Sequence, residues 1–418
     1  MKTTKIEVIE INRNREQLLW VLSAATFIIF FQLYMVAPLI PTLSVFFKET
    51  EQQVGLIVPA YLIPYGVSTL FYGLLADKIG PQKIVLTSLL LFVILTAFTS
   101  FSQSVTQLMT LRFLTGIGAS GVVPIALAWI GQSYSYKERG RPLGWLFGAM
   151  AGGGAFGSSV GVILEPYVGW RILFLGVALI AAVIWTVLCF THKKGVASQR
   201  NKQPLTLRKV FNGYKQLLLL NRGKTVYAYV LLNAIFHAGV FTWLGLYFKR
   251  TFNLSDVQIG LAIIGYGLPG FLLGPYIGKL ADRIGRSKLL PLGLFISALS
   301  SFILSFNVPL SLAVIAVTLL SLGYDLTQPL LAAIITQVGK ERPGQAMSLN
   351  VFMLFVGFGL GSFLFGLALQ LSLIQALIIF SIFQVALSFI ALYLFKTETH
   401  TNFLKNKTQT IKAKQHIL

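Results

Sequence analysis

Of the thirteen acidic side chains in this sequence, one falls near the middle of a long apolar stretch: Asp325, in Gly323-Tyr-Asp325-Leu-Thr-Gln328-Pro329. A carboxyl group held at bilayer depth can trade a proton with a water-filled lumen, and an ionisable residue there is a functional-site hypothesis by default. The competing reading is a structural acid bonded to a neighbouring hydroxyl or amide. His237 sits inside a second apolar stretch, four residues after Asn233 and therefore on the same helical face. It reads equally well as a titrating imidazole and as a hydrogen-bonded structural one. Arg112 lies inside a third stretch. A guanidinium there either takes part in the chemistry or snorkels to an interface about a turn and a half away. Together these types suggest proton exchange, with Asp325 carrying the proton and His237 or Arg112 biasing it through charge proximity.

The elements that must position these groups are membrane helices. Only 11% of residues are charged, 55% are hydrophobic, and apolar runs of span length recur along the whole chain. The pattern predicts an all-α integral membrane protein with twelve spans. In the first half they cover residues 18–43, 53–75, 84–101, 107–130, 143–164 and 172–191. In the second half they cover 225–247, 258–278, 289–306, 310–337, 346–369 and 373–395. A basic N-tail (1–17), a linker (192–224) and a C-tail (396–418) complete the chain, and 205–220 within the linker reads as a surface helix. The first stretch is too long for a signal-peptide core and lacks a small-residue cleavage site, so it reads as a retained span. A lone cysteine, Cys189, leaves no internal disulfide and no multi-cysteine metal site.

Two halves are related by repetition. Gly73-Leu-Leu-Ala-Asp77-Lys78-Ile-Gly80-Pro-Gln-Lys83 returns 205 positions later as Gly278-Lys-Leu-Ala-Asp282-Arg283-Ile-Gly285-Arg286-Ser-Lys288, with seven of eleven residues unchanged. At the same offset Gly55, Tyr61, Pro64, Gly118, Pro124, Gly152, Gly154 and Gly161 match Gly260, Tyr266, Pro269, Gly323, Pro329, Gly357, Gly359 and Gly366. Glycine and proline carry backbone meaning, so a constant offset implies a parallel duplication of a six-span unit, an arrangement found in transporters. Gln32 is the partner of His237 and Ser120 that of Asp325, so the carboxylate is not a requirement of the shared fold.

The net charge of +21 is distributed by topology. With both termini on one side, 29 Lys and Arg fall on that side and four (Lys48, Arg171, Lys249, Arg250) on the other. This is a positive-inside asymmetry with both termini cytoplasmic; it accounts for the charge by orientation and anionic lipid rather than by a nucleic-acid partner.

These residues resemble the major facilitator superfamily from Leu18 to Phe395. The family's hairpin between spans 2 and 3, Gly-x-x-x-Asp-Arg/Lys-x-Gly-Arg-Arg/Lys-Arg/Lys, is matched by Gly73, Asp77, Lys78, Gly80 and Lys83. It is matched more fully by Gly278, Asp282, Arg283, Gly285, Arg286 and Lys288. Such a hairpin offers a carboxylate to helix N-termini and basic side chains, and so can latch two spans in one conformation and release them in the other. Span 4, Arg112-Phe-Leu-Thr-Gly116-Ile-Gly118-Ala119, resembles the signature of the twelve-span drug:proton antiporter branch, with Thr115 in place of glutamine. Gly144, Gly153, Gly157 and Gly161 follow that branch's span 5 packing pattern, with Ser158 at the proline position and Gly169-Trp170-Arg171 downstream.

The resemblance implies two homologous six-helix bundles, with spans 1, 4, 7 and 10 around a central cavity. Gln32, Arg112, His237 and Asp325 are then expected to face it, and Tyr34, Asn233, Trp243, Tyr266 and Gln328 to contribute to substrate contacts. The implied function is proton-coupled export of a small amphipathic organic compound by alternating access. Uptake or facilitated diffusion of a polar metabolite is the alternative, and a receptor or enzyme a remote one. No Walker loop, His-Glu-x-x-His motif or paired intramembrane acids point to an enzyme. The expected partners are a small-molecule substrate, protons and lipid, with no cofactor, no metal and no nucleic acid, and the expected state is a monomer in a bacterial cytoplasmic membrane.

Overall fold

The computed structural model describes residues 2–134, 140–192, 207–339 and 342–398, and every regular element among them is helical. Among the described residues, eleven tracts are long and apolar enough to cross a membrane. One of them, Gly140–His192, has 53 residues. As a straight rod it would measure roughly 80 Å, more than twice the ~30 Å hydrocarbon core. It turns at Gly169, whose φ of 77° is open to glycine and poor for other residues, and so supplies two spans. The fold therefore has twelve.

Several spans are broken helices. Span 1 joins Lys2–Met35 to Ile40–Phe47 through a 3-10 turn at Pro38, and span 4 joins Val105–Ala119 to Val122–Ser133. Span 8 joins Asp256–Ile263 to Leu268–Ile284, and span 10 joins Leu310–Asp325 to Gln328–Val338. Span 2 is centred on Pro59–Ile79, span 3 is Pro81–Thr99 and span 7 is Asn221–Thr242 with Leu244–Phe252. Spans 9, 11 and 12 are Arg286–Ile303, Pro343–Ala368 and Leu373–Leu394. The surface helix expected over 205–220 occupies Leu207–Leu219, and span 7 begins at Asn221 rather than 225. The helix of span 1 runs back to Lys2, through the segment read as a tail; residues 2–17 contain no glycine or proline to stop it. The linker residues 193–206 and the C-tail 399–418 lie outside the described residues.

The ends away from the two hairpins carry a shared sequence signal. Thr50, Ser104, Ser255 and Ser372 each accept a hydrogen bond from the backbone N–H of a glutamine three residues on, and Ser255 with Gln258 completes a capping box. Each such cap contributes about 1 kcal/mol and fixes where a span leaves the water.

The duplication is visible in backbone geometry. Among the described residues, the two non-glycine positions with positive φ, Lys48 and Asn253, stand 205 positions apart, and each ends a helix at the start of a short loop. Gly80 (φ 101°) and Gly285 (φ 90°) stand at the same offset and are the only residues between the helices on either side. An L side chain is strained there, which explains the second glycine of the repeat. The first is different: a Cβ on Gly73 would meet nothing within 4 Å, so close approach at that position is not a feature of this conformation.

Span 5 packs on span 1 by a glycine ladder. Side chains at Gly153 and Gly157 would collide with the carbonyl oxygens of Phe27 and Phe31, and one at Gly161 with Met35. Gly357 and Gly361 do the same against Leu231 and Ile235 of span 7. These contacts are related by 204 positions, one fewer than the hairpins. The residue-by-residue match of Gly152 to Gly357 therefore misses the packing partner by one place. Gly144, grouped with the ladder by its motif, has open space around it. Gly157→Leu is expected to cost at least about 1–3 kcal/mol by forcing the two backbones apart, whereas Gly144→Ala should stay within about 0.5 kcal/mol of the parent. Thermal unfolding of the purified variants checks the contrast; equal losses would remove the ladder assignment.

The halves meet along spans 2 and 11 and spans 5 and 8. Gly66 abuts Phe355, Gly359 abuts Ile63, Gly260 abuts Ile163 and Gly267 abuts Ala155. At the end away from the hairpins Arg250 bonds Glu51 (3.1 Å) and Thr42 bonds Asp256 (3.1 Å) across the halves. Toward the hairpins Gly144, Gly148 and Gly344 have open space around them. There the Leu207–Leu219 helix touches both halves: Tyr214 donates to the Leu70 carbonyl (3.2 Å), and Gly213 lies against Arg342 and Gln345.

Candidate functional site

Between the halves is a cavity of about 30 Å³ lined by Leu33, Tyr34, Val58 and Leu62 of the first half and Phe241, Thr242, Tyr266 and Phe358 of the second, among others. Organic ligands occupy pockets of roughly 300–1,000 Å³, so the space between the halves in this conformation is smaller than such a ligand needs. Phe241 joins the two sides, its ring 5.2 Å from that of Tyr34 and 4.4 Å from that of Tyr266. Two of the expected substrate contacts, Tyr34 and Tyr266, line the cavity; Gln32, Asn233, Trp243 and Gln328 do not.

Asp325 stands at the break in span 10, where the helix ends before Leu326. Its carboxylate accepts from Ser321 Oγ (3.3 Å) and from the backbone amide of Gly270, and a Cβ on Gly270 would collide with it. Ser321 in turn accepts from the Gly267 amide (2.8 Å). Gly267 (φ 92°) is the N-cap of the second segment of span 8, so Ser321 and Asp325 of span 10 together cap a helix start on another span. A helix N-terminus offers unpaired N–H groups and a positive dipole end, both of which favour a charged carboxylate. Tyr266, next to the cap, carries that hinge into the cavity wall. Tyr34 and Tyr266 lie within electrostatic reach of Asp325.

His237 and Arg112 occupy separate networks. His237 is fully buried, with Nε2 3.2 Å from Ser297 Oγ and its ring 4.9 Å from that of Tyr324. Ser297 Oγ lies within hydrogen-bond distance of both His237 Nε2 and the Gly293 carbonyl (3.0 Å), so this hydroxyl ties span 7 to span 9. Asn233 donates to Thr327 (2.9 Å) and accepts from Gln384 (2.9 Å), tying spans 7, 10 and 12 together inside the second half. Arg112 is fully buried in the first half, so it does not snorkel; it donates to Gln32 (2.9 Å) and lies 4.2 Å over the Tyr61 ring. The bonds described for both residues run to these partners and not to Asp325. Gln328 is buried with its amide unpartnered.

Trp243 is a wedge rather than a cavity wall. Its indole fills the space that side chains at Gly55 of the first half and Gly366 of the second would need, and its Nε1 donates to the Ser362 carbonyl (3.2 Å). Trp170 and Arg171, read as part of a motif, close the loop end of span 3. Arg171 donates to the Ser100 and Ser102 carbonyls (3.0 Å each) and lies over Phe46 and Trp170.

At the hairpins Lys83, Arg283 and Lys288 are exposed, and the side chains of Asp77, Lys78 and Asp282 lie outside the described ones. Two ion-paired glutamates stand outside the residues expected from the sequence. Glu398 takes a two-pronged bond from Arg222 (2.7 and 2.9 Å), and its carbonyl accepts the Ser287 amide at the second hairpin (3.2 Å). Glu16 pairs with Arg141 (2.8 Å) and Tyr134 (3.4 Å) in the first half. Their signal was rarity: acids within strongly basic segments.

Comparison with known proteins agrees with this architecture. The Major Facilitator Superfamily profile matches residues 22–255 and again 226–417. A protein of Cupriavidus necator described as a probable sulfoacetate transporter is 27% identical over 83% of this chain and 84% of its own. The riboflavin transporter of Clostridioides difficile is 23% identical over 78% of this chain and 82% of its own. Among solved structures, a bacterial homologue of the lysosomal transporter Spinster in an inward-facing, unoccupied conformation superposes with a TM-score of 0.71 at 17% identity, covering 92% of this chain and 98% of that one. A D-xylose–proton symporter gives 0.73 at 15% identity, covering 90% and 96%. With twelve membrane spans in two repeated bundles and a profile that matches each half, the chain belongs to the Major Facilitator Superfamily of transporters.

Proposed function

We propose that this multi-pass membrane transporter exports a small amphipathic organic compound in exchange for protons, with Asp325 as the proton carrier. The observation that carries the reading is the cap that Asp325 forms on the hinge of span 8, beside the cavity and against Ala155 of the other half. A proton on Asp325 removes the charge that favours the helix start and occupies an acceptor oxygen, so it loosens the hinge. Loading of the cavity and protonation of Asp325 then draw on the same broken helix, and each state of the carboxyl group favours a different arrangement of the halves.

Export rather than uptake rests on the likeness of spans 4 and 5 to the antiporter branch. The chain acts as a monomer in a bacterial cytoplasmic membrane, with both termini and the two hairpins inside, as the 29-to-4 split of basic residues supports. The test is a deletion strain scored for sensitivity to toxic compounds and for metabolites in the medium. Export predicts greater sensitivity or a metabolite missing from outside the cell. Loss of growth on an external nutrient would favour uptake by the same fold.

The paired hairpins hold the inner gate in one conformation. Asp77→Asn is expected to lower the transport rate about ten-fold or more, the weight of one charge-assisted contact made in only one state, with normal insertion. Full transport activity in that variant would remove the gating role.

A further inference from the structure

Arg112 is, among the described residues, the only fully buried lysine or arginine, and none of the ion pairs described involves it. One guanidinium nitrogen, Nη1, is bonded to Gln32, whose amide is oriented by a second bond to Thr96 (3.2 Å). The other two, Nε and Nη2, are buried without a partner, and so are the hydroxyls of Tyr61 and Tyr65. A permanent positive charge away from water is costly unless an opposite charge and further hydrogen bonds meet it. This part of the chain supplies one hydrogen bond, from Gln32, and the face of the Tyr61 ring, but no opposite charge among the ion pairs described. The unpartnered N–H groups form the two-donor edge that guanidinium offers to carboxylates and their analogues.

The cluster is connected to the cavity. The Tyr61 ring lies under Arg112 and 5.9 Å from the Tyr65 ring, which stacks on Phe355 at 4.1 Å; Phe355 lies 5.9 Å from Phe358 in the cavity wall. Gln32 and Tyr61 each precede a cavity-lining leucine, Leu33 and Leu62. A continuous aromatic wall therefore leads from an apolar chamber to an uncompensated cation.

We propose that Arg112, Tyr61 and Tyr65 form an anion subsite that receives the carboxylate or sulfonate head of an amphipathic organic acid, with its apolar body held between Leu62, Phe241 and Phe358. This deepens the transporter reading above and rests on it for the statement that the bound acid is cargo. Neutral and cationic compounds leave the guanidinium unmatched, so the site discriminates against them. Arginine does not give up its proton in proteins, so its part is to bind the anion while Asp325 exchanges the proton.

The purified full-length protein is tested by thermal unfolding with four matched probes: 2-naphthoate, naphthalene-2-sulfonate, 2-naphthylmethanol and 2-naphthylmethylamine. One or both acids should raise the unfolding temperature saturably, while the alcohol and the amine do not. Arg112→Gln should raise the half-saturating acid concentration at least ten-fold, Arg112→Lys less, and Tyr65→Phe a few-fold. If Arg112→Gln does not fold, the lysine and phenylalanine variants carry the comparison. Stabilisation by the alcohol or amine equal to that by the acids, no saturable response to either acid, or unchanged acid binding in the variants would overturn the proposal. Gly144→Ala, at a position with open space around it, is measured alongside and should bind the acids as the parent does. Loss of the acid response there as well, with a folded protein, would contradict the assignment to Arg112. Failure of coupling in Asp325→Asn bears on the transport reading alone.

Discussion

Asp325→Asn protein in sealed vesicles is expected to lose uphill transport altogether while still exchanging substrate down its gradient. Asparagine has the shape of the protonated acid and keeps an acceptor oxygen for Ser321 and the Gly270 amide, so the hinge of span 8 should remain folded. What it lacks is the second state. With the carboxyl group permanently neutral, the cap on the helix start no longer alternates between charged and uncharged, and the proton gradient has nothing to act on. The expected reading is net accumulation reduced to the equilibration level, with counterflow within about three-fold of the parent. Ser321→Ala, which removes one donor to the carboxylate and the acceptor for the Gly267 amide, should shift the pH dependence of transport without abolishing it. Uphill transport with an unaltered pH profile in Asp325→Asn protein would place the proton elsewhere.

Trp243→Ala is expected to release the end of the transporter away from the hairpins. The indole fills a slot made by two glycines from opposite halves, which the sequence repeat pairs with Gly260 and Gly161. Truncating a buried tryptophan costs about 3–5 kcal/mol. To the extent that the slot exists only when this end is closed, the loss falls on one conformation, and at about 1.4 kcal/mol per factor of ten the equilibrium moves by roughly a hundred-fold or more toward the open form. Spin labels on the exposed positions Val45 and Leu261, one in each half, report the change. The parent should give short distances and Trp243→Ala a dominant longer one, with Trp243→Phe between them. An unchanged distribution, with normal stability, would show that the wedge is not a latch.

Much of the fold was legible because membranes restrict what a chain can do. Apolar runs must become helices, positive charge marks a side, and Gly80 and Gly285 sit where only a residue tolerant of positive φ closes the hairpin. The break at Asp325 was also legible, since Pro329 disfavours a continuous helix and an acid in an apolar run is rare. Partners across helices were not. Helical periodicity puts Asn233 and His237 on one face but does not say which neighbouring span that face meets, and both turned inward within the second half. His237 and Arg112 were expected to bias Asp325, whereas their described bonds go to Ser297 and to Gln32. The cap from Ser321 and Asp325 to span 8 links residues more than fifty positions apart and leaves no local pattern. The one-residue slip of the glycine ladder against the hairpins is a packing adjustment that residue matching cannot register. The four Ser/Thr-x-x-Gln caps, by contrast, were present as a sequence signal and were passed over.

The central claim is that substrate leaves in exchange for protons, and proton movement measures it most directly. Proteoliposomes containing the transporter and a trapped pH-sensitive dye are given the compound identified by the deletion-strain screen, with no other gradient imposed. Antiport through Asp325 predicts that protons move against the substrate flux in the parent protein and that Asp325→Asn gives no proton movement during the same exchange. Protons moving with the substrate, or a parent protein that equilibrates substrate with no proton movement at all, would contradict the account.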